Sequence, residues 1–235
     1  MNRIRLASIP IVLIIILITS ASIASATEQF PINGNVVNET ANATFIDKQL
    51  VVSLHIFDGA IETATFSSST GPTGDFQITG ATQNDNYTYF LTTDYEGVSY
   101  STTIPPGRLS EPVTLTVYEP TADPTVLLIT DHTLLITGAD SDERFVEILE
   151  RVVLSNPTDR TFLADLEKGG MPQMLRFGLP ESAYNLDVRS SLVGGEVLQV
   201  DKGFAITTPV PPTSNEAHHL EYIYRVPYEA DLTVD

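Results

Sequence analysis

Between Gln49 and Phe57 the side chains alternate cleanly, with Leu50, Val52, Leu54 and Ile56 on one face. A period of two is the mark of a strand with one buried face; on a helix those four positions would not share a face. Similar short runs recur between turn clusters from Gly34 to Glu119. They are Gly34 to Asn38, Ala60 to Ser67 after the turn residues Asp58 and Gly59, Asp75 to Thr79 after a Gly/Pro loop at Thr70 to Gly74, Tyr87 to Tyr95, Val98 to Ile104, and Pro112 to Glu119. With Gln49 to Phe57 that makes seven strands in under about 90 residues, the spacing of a β-sandwich. No helical period of convincing length interrupts them.

The chain contains no cysteine. Disulfides, thiolate zinc sites, a cysteine nucleophile and a lipidated cysteine at a cleavage site are therefore excluded. Stability must come from an apolar core, and the 42% hydrophobic content of the 235 residues is enough for one large or two ordinary domains. The formal net charge is −18. This balance argues against nucleic-acid binding and against docking on anionic lipid. It suits a self-repelling soluble surface or one that recruits cations.

The N-terminus reads as a secretion signal over residues 1–26. Arg3 and Arg5 form a positive start, Ile9 to Ile18 is almost wholly apolar, and small residues lead to Ala24-Ser25-Ala26, an A-x-A cleavage site. Cleavage there would leave Thr27 first and 10 basic residues against 30 acidic, a net charge near −20. The alternative is an uncleaved anchor, because residues Leu6 to Thr27 carry no charge. Two arginines split by Ile4 are not a twin-arginine signal, so general secretion of an unfolded chain is expected.

The segment after the leader resembles the carboxypeptidase regulatory-like family, a transthyretin-like seven-stranded sandwich. The resemblance rests on Gly34-x-Val36-x-Asn38-x-Thr40, Gly74-Asp75-Phe76-x-Ile78, the aromatic strand with Tyr87, Tyr89 and Phe90, and Val113-x-Leu115-x-Val117. It covers residues ~31 to 120. What it implies is a stalk, spacer or binding sandwich without catalytic residues of its own. On this reading residues 27–119 form the first domain, residues 120–124, bracketed by Pro120 and Pro124, form a linker, and residues 125–235 form a second β-rich, sandwich-like domain.

The second half opens with an apolar run, Val126 to Ile136, interrupted by Asp131-His132. The next segment is ambiguous. Phe145, Ile148, Leu149 and Val152 fit a helical stripe, and Asp140 with Glu143 fits a capping box; yet Val146, Ile148, Val152, Val153 and Leu154 suit a strand, which is the favoured reading. A turn follows at Asn156-Pro157-Thr158-Asp159, then strand-like runs at Gln173 to Leu179, Leu192 to Val200, Phe204 to Thr208 and Leu220 to Val226. The expected fold class is all-β, two tandem sandwiches after a signal peptide. The second half also looks like an uncharacterised bacterial envelope β module. The pieces that carry this are Val153 to Phe162, Phe177-Gly178-Leu179-Pro180, Gly203-Phe204, Pro209 to Pro212, and Tyr222-x-Tyr224-x-Val226-Pro227-Tyr228. It implies location and architecture, not chemistry.

Few residues suggest a site. His218-His219-Leu220-Glu221 contains the H-x-x-E spacing that begins a metallocarboxypeptidase zinc site, but a catalytic zinc needs a third ligand and a base, and only His55 and His132 remain, both upstream. Glu216, His218 and His219 are weak candidates for an adventitious metal site, and no cofactor is expected. Asp140-Ser141-Asp142-Glu143 could offer oxygens to calcium but lacks the EF-hand loop pattern, and reads first as a solvated turn. Tyr184, Tyr222, Tyr224 and Tyr228 could form a ligand-facing patch, although such tyrosines more often fill strand faces with the hydroxyl at the rim. Asn38, Asn42 and Asn86 begin N-x-[ST] sequons, relevant only where that glycosylation machinery exists. Nucleophile-elbow and phosphate-loop motifs are missing.

These observations lead to an expected non-enzymatic, exported envelope or extracellular protein serving in binding, adhesion or scaffolding. Its partner is expected to be a protein or carbohydrate at the cell surface, with no nucleic acid. Membrane association would come only through an uncleaved leader or a missing C-terminal anchor. The alternatives are a truncated or tethered subunit of a membrane-anchored assembly complex and, last, a secreted metal-dependent hydrolase.

Overall fold

The computed structural model describes residues 29–43, 48–166, 173–192, 194–214 and 217–228. The leader read at residues 1–26 lies outside them. The chain is all-β. Among the described residues no helix is long and apolar enough to cross a membrane.

The first seven strands fall where the alternation predicts: β1 (Gln29–Asn38), β2 (Val51–Asp58), β3 (Ile61–Ser69), β4 (Asp75–Thr82), β5 (Tyr87–Tyr95), β6 (Val98–Ile104) and β7 (Val113–Val117). They form two sheets, β4-β1-β7 and β3-β2-β5-β6. All pairings are antiparallel except β1 with β7, which run parallel from Gly34 beside Val113 to Asn38 beside Val117. The inward set of β2, Val52, Leu54 and Ile56, packs with Ile32, Val36, Ile78, Leu91, Leu115 and Val117 in one buried cluster. The alternation in sequence is thus an alternation in burial. Tyr89 is fully buried, and its hydroxyl donates 2.7 Å to the Thr82 carbonyl.

The first two residues of the segment read as a linker are strand-paired. β8 (Pro120–Thr121) runs parallel to β11 (Thr161–Phe162), and a short 3-10 turn follows at Pro124–Val126. Around this pair the early and late parts of the chain are knitted by polar contacts. The Thr40 hydroxyl donates to the Asp159 carbonyl at 3.0 Å and accepts from the Glu119 amide at 2.7 Å. Tyr100 donates to the Tyr118 carbonyl at 2.8 Å, so the Thr161 hydroxyl, 2.8 Å from it and fully buried, is left to donate to Tyr100.

The later strands are β9 (Leu128–Asp140), β10 (Phe145–Ser155), β12 (Leu175–Gly178), β13 (Tyr184–Ser190), β14 (Val197–Val200), β15 (Gly203–Ile206) and β16 (His218–Pro227). A four-stranded sheet, β13-β16-β10-β9, stands with a three-stranded one, β12-β15-β14. Their shared core contains Val152, Leu154, Phe177, Phe204, Ile206, Leu220, Tyr222 and Tyr224. Phe204 meets Phe177 in a stacked pair and Tyr222 edge-on, each at 5.0 Å between centroids, arrangements that aromatic rings favour.

Residues 145–155 resolve the helix–strand ambiguity: they are a strand, paired with β16 from Phe145 to Leu154 and with β9 on the other side. The helical stripe fails because Ile148 and Leu149 are consecutive and so point to opposite sheet faces. Asp140 caps no helix. Its Oδ1 accepts from the amides of Asp142 and Glu143 at 2.8 Å each, shaping the β9–β10 hairpin turn, where Arg144 takes φ 57°. The expectation of a strand over Leu192 to Val200 needs correcting, since among its described residues only Val197–Val200 is strand. Besides the two-residue strands β8 and β11, the missed strand is β13, whose exposed Asp187 and Arg189 conceal it from an apolar pattern.

Candidate interaction surface

The most chemically loaded position in the second sandwich is Glu150, in the middle of β10. Ile148, Glu150, Val152 and Leu154 share the core-facing side of that strand, so a carboxylate stands where the pattern calls for an apolar residue. Its side chain is 8% exposed. Burial of a carboxylate is costly unless its lone pairs are taken up. Three donors do so: Tyr222 to Oε2 at 2.7 Å, Tyr224 to Oε1 at 2.7 Å and His132 Nε2 to Oε2 at 2.6 Å. Burial pushes the carboxyl up, but the bonds from Tyr224, Tyr222 and His132 together outweigh it and hold Glu150 below its ordinary value of 4.5. Burial and the adjacent carboxylate push both tyrosine hydroxyls well above their ordinary range. Both tyrosines therefore stay neutral donors at any physiological pH. The sequence signal for this hub is a lone acid on the strand face that carries Val146, Ile148, Val152 and Leu154, with Glu147 on the opposite face.

His132 lies on β9, the outermost strand of its sheet. Extra residues at Thr130 and Thr137 bulge this strand against β10 and bracket a regular stretch from Asp131 to Ile136. His132, Leu134 and Ile136 lie beside Val152, Glu150 and Ile148, and so belong to the core-facing side. The opposing three-stranded sheet does not reach them. Leu134 is 53% exposed, Ile136 68% and Ile129 64%; on the outer face Leu135 is 51% exposed. Among the described residues no strand pairs with the outer edge of β9. β9 has thirteen residues with neither lysine nor proline, and its edge is interrupted only by Asp131 and the two bulges. The sheet's other edge, β13, is seven residues long, shifts register between Tyr184 and Asp187, and carries exposed charges.

The residues singled out in sequence do not converge. In β16 His218 and Glu221 are three apart on a strand and so face opposite sides, which undoes the H-x-x-E pairing. His218 Nε2 donates to the Pro211 carbonyl at 3.0 Å. Arg151 donates to His219 Nδ1 at 3.3 Å and lies 3.6 Å from Glu221. Glu216 lies outside the described residues, and among those described no three His, Asp or Glu side chains gather as a metal site. His55 is held by Glu62 at 2.7 Å and Thr92 at 3.1 Å on the first sandwich. The four tyrosines form no common patch: Tyr222 and Tyr224 are buried against Glu150, Tyr228 donates to the Asp140 carbonyl, and only Tyr184 is exposed. Of the sequons, Asn38 already donates through its amide to Glu119 and Tyr95, whereas Asn42 and Asn86 are exposed.

A cleft of about 830 Å³ opens between β13 and the β14–β15 hairpin, with Tyr184, Leu186, Val197, Gln199, Lys202 and Phe204 among its walls. It is the open mouth between the two sheets of the second sandwich. A scan of the sequence against protein-family models finds no match, and a search among curated proteins finds no relative.

Proposed function

We propose that the chain is a non-enzymatic exported protein of the cell envelope or extracellular space, a binding or scaffold module that engages another polypeptide along β9. The observation that carries this reading is the long apolar edge of β9, with its core-facing side chains uncovered. An unpaired edge offers a row of backbone donors and acceptors for strand addition, and alternate side chains give the contact its selectivity. Among the described residues, the carboxylate buried under that edge is saturated by Tyr222, Tyr224 and His132, the arrangement of a structural hub rather than of an acid or base aimed at a substrate. The first seven strands are proposed to be a carboxypeptidase regulatory-like sandwich, supported by their two-sheet arrangement and by the positions of the residues that carry the resemblance.

Two measurements test the reading. Fractionation of the native host with N-terminal sequencing should find a soluble chain starting at Thr27; a membrane-bound chain starting at Met1 would favour a tethered assembly subunit. A photo-crosslinking side chain at Leu134 or Ile136 should capture a polypeptide in the host, whereas the same group at Val51 or Ile61, exposed on the first sandwich, should not. Equal capture from all four positions would sink the proposed surface.

A further inference from the structure

We propose that the cleft of about 830 Å³ beside β13 binds a neutral saccharide, at the opposite edge of the four-stranded sheet from β9. Its volume lies within the range of about 300–1,000 Å³ typical of small-ligand sites. The cleft exists because both sheets end here on an outer strand, β13 in one and β14 in the other. In β14, Val197 stands opposite Ile206 and Gln199 opposite Phe204. Directly opposed residues share a sheet face, so both project from the inner face beside residues that are buried. Val197 and Gln199 are nevertheless exposed, and across the opening so are Tyr184 and Leu186.

The two walls are shaped separately. Between the pairs Tyr184–Arg225 and Asp187–Ile223, β13 carries one residue more than β16, and within this bulge Asn185 takes φ 56°. A bulge at a sheet edge re-aims side chains and interrupts the ladder that an added peptide strand would need. On the other wall the β14–β15 hairpin is held close to β12: a Cβ at Gly203 would lie 2.0 Å from the Phe177 carbonyl oxygen. The turn that carries Asp201 and Lys202 is fixed by that approach.

The chemistry of the walls selects the ligand. Among the described residues the side chains of Glu181, Asn185, Gln199, Asp201 and Lys202 make no hydrogen bond or ion pair. The two carboxylates only accept, the ammonium only donates, and the two amides do both. A sugar hydroxyl donates and accepts at once, so one kind of group satisfies all of them. Tyr184, Leu186 and Val197 supply apolar surface for the C–H face of a sugar ring. Two carboxylates against one ammonium, on a chain of net charge −18, turn away nucleotides and acidic polysaccharides. A wholly apolar ligand would strip water from the polar groups without replacing it.

Affinity electrophoresis tests this directly, because so acidic a chain migrates readily in a native gel. The protein recovered after export of the full chain should be retarded by at least one neutral polysaccharide among mannan, dextran, galactan and hydroxyethylcellulose cast in the gel. Soluble polygalacturonate added as a competitor should not relieve the retardation. Tyr184→Ala and Gln199→Ala should each weaken binding at least about tenfold with the circular dichroism unchanged, whereas Val51→Ala, exposed on the first sandwich, should have no effect. Free migration through all four gels, or retardation that neither cleft variant reduces, overturns the proposal. A polypeptide captured by a photo-crosslinking side chain at Leu186, without retardation by any polysaccharide, reassigns the cleft to a peptide and overturns it too. Capture at Leu134 bears on β9 alone, so the two readings fail separately.

Discussion

Glu150 shows how a single acid is kept inside a β-sandwich. Its three donors each replace a lost water, and charge-assisted bonds of this kind are the strong ones. Glu150→Gln would present an NH2 group to neighbours that are themselves donors, so a loss of about 1–3 kcal/mol in urea unfolding at pH 7 is expected. Because the folded carboxyl lies below 4.5, its stabilisation is complete above that value and disappears as pH falls through the lowered folded value. The gap between the wild type and Glu150→Gln should therefore narrow in acid, and a gap constant down to pH 3 would contradict the assignment. Asn156 is the second such residue. Fully buried, it donates to the carbonyls of Arg160 and Val210 and accepts from Thr158. Asn156→Ala strands these groups and should cost about 2–3 kcal/mol in the same measurement.

Among the elements, β1 depends on a close approach. A Cβ at Gly34 would lie 2.2 Å from the Val113 carbonyl oxygen and 2.6 Å from the Phe76 ring, so Gly34→Ala must push β1 away from β7 or displace the ring. A loss of about 1–3 kcal/mol is expected, with early hydrogen exchange in Val113–Val117, and an unaffected β7 would refute the contact. Strand positions in the first half were legible because most strands there have one face buried and one wet, and each is bounded by turn residues. β13 was not legible, since an exposed edge strand carries no apolar period. β9 shows the converse: its apolar run does not ensure burial, because whether a strand is covered depends on how far the opposing sheet extends.

In the whole molecule the two cores are joined by hydrogen bonds as well as by the chain. Removing the hydroxyls of Thr40 and Tyr100 together, as Thr40→Ala with Tyr100→Phe, deletes the bonds to Asp159, Glu119, Tyr118 and Thr161. Scanning calorimetry should then resolve two transitions where the unaltered protein gives a more cooperative one, and an unchanged profile would show that the cores are coupled by other means.

The order of short strands, the all-β class and the dependence on an apolar core were set by the sequence alone, because period-two alternation, turn residues and the lack of cysteine are local properties. Tertiary structure decided the rest. It turned residues 145–155 into a strand held between β9 and β16, gathered Tyr222, Tyr224 and His132 around Glu150, separated His218 from Glu221 across a sheet, and left β9 bare. Each of these outcomes depends on which strands become neighbours, and neighbours far apart in the chain leave no periodic trace in it.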